Sequence, residues 1–138
     1  MILNDVFEFI HKHDLMVVST VDAAATPESA VVEFGEYGEH NLVMDTLTTS
    51  RKFKNLATNN KTSLVIGWDN DITVQINAIA HILEGEELLE AKRLYFEKNQ
   101  RARKWENREG IAYFGFKPTW IRYSDVGQNP WVIEEFRI

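Results

Sequence analysis

The chain has 138 residues, which the length prior assigns to a single domain, residues 1–138, with a core of its own. Apolar residues make up 44% and charged residues 26%, a balance that excludes a disordered chain. A net charge of −6 argues against a broad polyanion-binding surface, and zero cysteine excludes disulfides, thiolate metal sites and thiol nucleophiles, so any redox chemistry needs a borrowed cofactor.

The N-terminal MILNDVFEFIHKHD places Asn4 and Asp5 as caps of a short helix with Val6, Phe7, Phe9 and Ile10 on its apolar face. Asp5 and Glu8 stand where an export signal would be basic and then apolar, so a cytoplasmic location is expected. No apolar run reaches the roughly 20 residues of a membrane helix. LMVVSTV (15–21) is β-branched and predicts a strand, and DAAATP (22–27) predicts a turn. ESAVVEFGEYG (28–38) and NLVMDT (41–46) predict two more strands joined around Gly38. Ser50 is a good N-cap for about two helical turns, with Phe53, Leu56 and Ala57 at i, i+3 and i+4. TSLVIGW (62–68) and ITVQINAIAHIL (72–83) return to strand. Residues 84–99 are patterned as a helix and residues 100–110 as a polar loop. The last strands are expected at 111–118, 119–126 and 130–138, divided by Pro118 and by Gly127–Pro130. About seven strands at this spacing, with no repeated strand–helix–strand units, predict a mainly β chain: one antiparallel barrel with a few helices.

The sharpest chemical signal is Thr46-Leu47-Thr48-Thr49-Ser50-Arg51-Lys52. Cations in the first turn of a helix oppose the macrodipole, whose positive end lies there. They make sense if an anion sits between the hydroxyls, the two cations and the free backbone N–H groups. The bland alternative is two solvated cations paired with surface acids. His11, His13, His40 and His81 show no metal-ligand spacing, and no metal site is expected. Glu84, Glu86 and Glu87 suit a helix start. The basic stretch around Trp105 is read as a solvated loop, with recruitment of an anionic substrate as the lesser reading.

In order and motif the chain resembles the pyridoxamine 5′-phosphate oxidase-like family of FMN-binding split barrels, most closely its small general-stress-type members. The resemblance rests on the strand ending at Thr46, Ser50-Arg51-Lys52, the helix with Leu56 and Asn59, and Val74-Gln75-Ile76-Asn77. It implies a six- to seven-stranded antiparallel split barrel. It implies that Ser50, Arg51 and Lys52 hold the FMN phosphate with Thr46 at the strand end. The flavin ring would lie along Ser29, Ala30, Val31 and Val32, with Thr73 or Gln75 reaching the cofactor. A homodimer with FMN at the subunit interface is implied too, and a flavin-dependent oxidoreductase acting on a small molecule, with NAD(P)H as a candidate donor. Catalytic residues are not assigned. Two departures stand out. The second strand of true pyridoxamine-phosphate oxidases carries an Arg at its start and a Lys at its end, where this chain has Glu28–Ser29 and Glu33. Their C-terminal substrate segment has no counterpart beyond Trp120–Asp125. FMN binding is therefore expected ahead of vitamin B6 oxidation. The alternatives are a non-enzymatic flavin module, a barrel holding haem through His40 or His81, a barrel holding the deazaflavin F420, and a barrel without cofactor.

Overall fold

The computed structural model describes residues 1–138. The order is α1 (Leu3–His11), β1 (Leu15–Val21), β2 (Pro27–Glu33), β3 (Gly35–Tyr37), β4 (Asn41–Leu47), α2 (Arg51–Thr58), β5 (Lys61–Ile66), β6 (Ile72–Ile82), α3 (Gly85–Lys98), a 3-10 helix (Gln100–Trp105), β7 (Ile111–Asp125) and β8 (Val132–Arg137). All ladders are antiparallel, in the order β2-β1-β5-β6-β7-β4-β3, with β8 on β7. The sheet curls around its core as a split barrel of eight strands rather than six or seven. Phe34 turns fully inward between β2 and β3 and breaks one predicted strand in two, while the two strands expected on either side of Pro118 are one.

Local chemistry accounts for the main joints. Asp22 Oδ1 accepts from Ala24 N–H at 2.8 Å and Thr26 N–H at 2.9 Å, which closes the β1–β2 turn. The α1 start differs from expectation. The helix begins at Leu3 with Ile2 as its N-cap residue, and Asp5 caps it from inside the first turn, accepting from Ile2 N–H at 2.7 Å. The predicted division at Pro118 is absent: β7 runs unbroken over 15 residues. The β6–β7 register shifts at Asn77/Ala78, so that Pro118 faces Ala78 and Trp120 faces Asn77. A bulge leaves one residue out of the ladder, and this is where a proline lacking its N–H is tolerated. The predicted 100–110 loop also begins differently, as the short 3-10 helix.

Two cores result. Met16, Val18, Leu42, Met44, Leu64, Ile76, Phe116 and Ile121 fill the barrel. A second cluster of Tyr37, Val43, Leu83, Ala91, Tyr95, Phe96 and Tyr113 lies on the outer face of β3, β4 and β7, under α3 and the 3-10 helix. β7 is therefore covered on both faces at Tyr113–Phe116, four buried residues in succession. β2 ends one edge of the sheet. It approaches β4 without sharing ladder hydrogen bonds. The split between these two strands is where the site lies.

Candidate functional site

The turn from β4 into α2 is built by hydroxyls. Ser50 caps α2, its Oγ accepting from Phe53 N–H at 3.1 Å and sharing a 2.8 Å hydrogen bond with Thr46 Oγ1. Thr48 N–H donates to Gly110 O at 2.8 Å and ties the turn to the start of β7. One cavity of about 360 Å³ opens between β2, β4, α2 and the segment after α3. Its apolar walls include Val31, Val32, Ala102, Trp105 and Ile111, and its polar ones Thr46, Ser50, Lys52, Arg108, Glu33, Asp45 and Tyr95. A second cavity of about 130 Å³ is lined by Val18, Thr20, Glu28, Ser29, Ala30, Arg51 and Lys52. Lys52 lines both, so the two cavities adjoin at its side chain, and together they are called the groove.

Eight of the ten residues expected to hold a cofactor line this groove. Ser29, Ala30 and Arg51 lie at the small end, Val31, Val32, Thr46 and Ser50 at the large end, and Lys52 between. Thr73 and Gln75 do not. They stand on the outward face of β6, on either side of the buried Val74. Strand alternation puts them on the far side of the sheet from the barrel core.

Tyr95, Ala102 and Ile111 were not singled out from the sequence, while Trp105 and Arg108 belong to the basic stretch expected to be a solvated loop, with anionic-substrate recruitment as the lesser reading. All five come from segments far along the chain, and the folding of those segments over β4 brings them here. Asp45 did leave a local trace: an acid on a strand between Met44 and Thr46, both buried. Its Oδ2 is buried without a hydrogen-bond partner, as is Tyr113 Oη across the β4–β7 ladder. Burial holds the Asp45 carboxyl above the usual carboxylate range. Glu33 pushes it the same way, while Tyr95 and Lys52 oppose the shift. Burial and the nearby Asp45 also raise the Tyr113 hydroxyl, to about 12.

The stability consequence follows in sign. An acid whose folded pKa is raised holds its proton longer when folded, so stability falls as pH rises from the unfolded value, 3.8, through the folded one. Asp45→Asn removes that loss. The variant is expected to be more stable than the native chain at pH 7, by about 1 kcal/mol for one buried unpaired group, with the advantage shrinking toward pH 4. Thermal unfolding across that range checks it; a gap constant with pH would refute the assignment.

The histidines considered as haem ligands sit elsewhere. His40 Nε2 is 2.8 Å from Asn4 Oδ1, and His81 Nε2 is 2.9 Å and 3.0 Å from the two Glu87 carboxylate oxygens. Neither lines the groove.

Known structures share this architecture. The general stress protein 26 of Bacillus anthracis superposes with a TM-score of 0.76 at 22% identity, covering 100% of both chains. A haem-binding protein of Mycobacterium smegmatis gives 0.78 at 17% identity over 91% of this chain and 53% of its own, so the chain spans about half the length of that protein. The haem storage protein HutZ of Vibrio cholerae gives 0.68 at 16% identity over 84% of this chain and 89% of its own. At such identities the likeness is one of fold. No curated protein sequence matches. The sequence profile of pyridoxamine 5′-phosphate oxidase matches residues 2–125. With nearly the whole barrel inside that match, the chain belongs to the pyridoxamine 5′-phosphate oxidase family.

Proposed function

We propose that the chain binds FMN in the groove across the barrel split and acts as a flavin-dependent oxidoreductase on a small molecule. The carrying observation is that Lys52, in the first turn of α2, lies between a small cavity it lines with Arg51 and Ser29 and a larger one with both apolar and polar walls, where the capping Ser50 and Thr46 lie. A phosphorylated flavin has the matching division, with a small anion at one end and a flat ring at the other. Lys52 takes part in no ion pair and is free to receive a phosphate. The first-turn N–H groups of α2 add partial positive charge. Val31, Val32, Ala102 and Ile111 offer apolar walls, and Trp105 an aromatic face. The unpartnered Asp45 Oδ2 suits an N–H donor such as a flavin pyrimidine edge carries. The residues present therefore fit the group.

Bound flavin supplies hydride acceptance and donation, and the protein supplies anchoring, orientation and hydrogen bonds to the ring. Glu33, in place of a cation, with Asp45 beside it in the same cavity, disfavours a phosphorylated substrate beside the ring. Vitamin B6 phosphate oxidation is thus set aside in favour of another small substrate. Val31 is 60% exposed at the rim, which suits a second copy of the chain as the missing wall. A homodimer is part of the proposal. No helix is long and apolar enough to cross a membrane, and a cytoplasmic location is proposed.

The haem names among the structural neighbours give a second reading, haem in the same fold. It is the weaker one because His40 and His81 are engaged elsewhere. One visible spectrum of the purified chain separates the two. Flavin bands, or saturable FMN binding, are expected; a Soret band without flavin binding overturns the proposal. Flavin reduction by NAD(P)H then separates an oxidoreductase from a flavin carrier, and gel filtration tests the dimer.

A further inference from the structure

The small end of the groove carries a negative charge fixed from within. Glu28 faces Thr20 across the β1–β2 ladder. Its Oε1 accepts from Asn55 Nδ2 at 2.8 Å, and the same nitrogen donates to Thr20 Oγ1 at 3.0 Å. Asn55 is buried one turn into α2. The carboxylate is therefore held by the barrel wall and the helix together. Its other oxygen, Oε2, meets Arg51 Nη1 at 3.0 Å. The Arg51 side chain is 74% exposed against 17% for Glu28, so the arginine is the free-moving partner and the glutamate the fixed one.

This arrangement bears on the charge of the ligand. Arg51, Lys52 and Glu28 are the charged residues lining the small cavity, and they leave one net positive charge there. A phosphate monoester carries about −1.5 to −2 at pH 7. Placed here it is under-neutralised, lies beside a carboxylate of its own sign, and competes with that carboxylate for the Arg51 guanidinium.

We propose that Glu28 is a specificity-determining residue: by holding Arg51 it lowers the affinity of the groove for the phosphate end of its ligand, and so narrows the preference for FMN over riboflavin. The inference rests on the reading that a phosphorylated ligand docks at the start of α2, and deepens it.

Glu28→Gln removes the charge and keeps a side-chain oxygen for Asn55. FMN and riboflavin are titrated into the native chain and the variant by fluorescence. FMN is expected to tighten about three- to fivefold in the variant, the upper span of one partly exposed charge interaction, with riboflavin unchanged. Unchanged FMN affinity, or an equal gain for riboflavin, overturns the proposal. A second arm measures thermal stability with inorganic phosphate, a probe that does not depend on flavin. If neither protein binds either flavin, the flavin reading falls and this arm decides for Glu28. A larger phosphate-induced rise in Tm for the variant supports the charge control, and equal rises overturn it. Glu28→Ser serves as a second neutral variant should glutamine disturb Asn55; loss of folding in both makes Glu28 a fold residue and also overturns the proposal.

Discussion

Lys52→Ala is expected to weaken FMN binding by about ten- to a hundredfold while riboflavin changes by no more than about twofold. The magnitude is that of one charge-assisted hydrogen bond, about 1.5–3 kcal/mol, read as affinity. Riboflavin lacks only the phosphate, so the comparison isolates the anion end of the groove from the ring end. Lys52 is the residue to test because it lines both cavities and forms no ion pair, whereas Arg51 is already held by Glu28. Ser50 is a poorer probe, since its hydroxyl caps α2 and its removal would loosen the helix as well as the site. Titration of the two flavins into each protein is the measurement. Equal losses for both would place Lys52 against the ring or in the fold, and would sink the phosphate assignment.

Phe116→Ala is expected to cost about 3–5 kcal/mol, a large part of the 5–15 kcal/mol typical of a domain. Phe116 is 0% exposed in the barrel core, and its backbone pairs with Leu42 on one side and Ala80 on the other. Its ring is thus enclosed where three strands meet, and rigid ladders on both sides limit collapse into the space it leaves. Thermal unfolding should show Tm lowered by roughly 10 °C or more. Leu89→Ala is the control. That side chain is 68% exposed on α3 and lines neither cavity, and its loss should stay within about 0.5 kcal/mol. A Phe116 variant as stable as the control would mean that the barrel interior is not the main core.

The two variants report on different levels of the molecule, and a sequence exposes these levels unequally. Local pattern was strong wherever one residue type has one use. Alternation in LMVVSTV gave β1 its inward Met16, Val18 and Thr20, and Ser50 followed by Phe53 and Leu56 marked α2 to within a residue. It misled where a local rule met a tertiary exception. Pro118 reads as a strand breaker, yet a bulge against Asn77 and Ala78 relieves it of the hydrogen bond it lacks. The break between β2 and β3 was hidden for the converse reason: nothing in VVEFGEY marks the point at which Phe34 leaves the ladder to enter the core.

The site divides in the same way. Ser50, Arg51 and Lys52 were visible because they are adjacent, and because cations at a helix start oppose the dipole unless an anion joins them. Glu28 and Glu33 were visible as charges on a strand but not as neighbours of anything. That Glu28 is gripped by Asn55 and Arg51 depends on α2 packing against β1, a contact 27 residues apart in the chain for the Asn55 bond. Tyr95, Trp105 and Arg108 reach the groove only because α3 and the 3-10 helix fold back over β4.

By itself, then, the sequence determined one acidic, cysteine-free, mainly β domain with a cationic helix start, since composition, alternation and capping are properties of neighbours along the chain. Only the tertiary structure decided that the barrel splits between β2 and β4, that the cation pair faces a fixed carboxylate, and that an acid with one unpartnered oxygen lies at the far end of the groove. Charges and cavities act through space, and the distances that set their strength exist only once distant strands have been brought together.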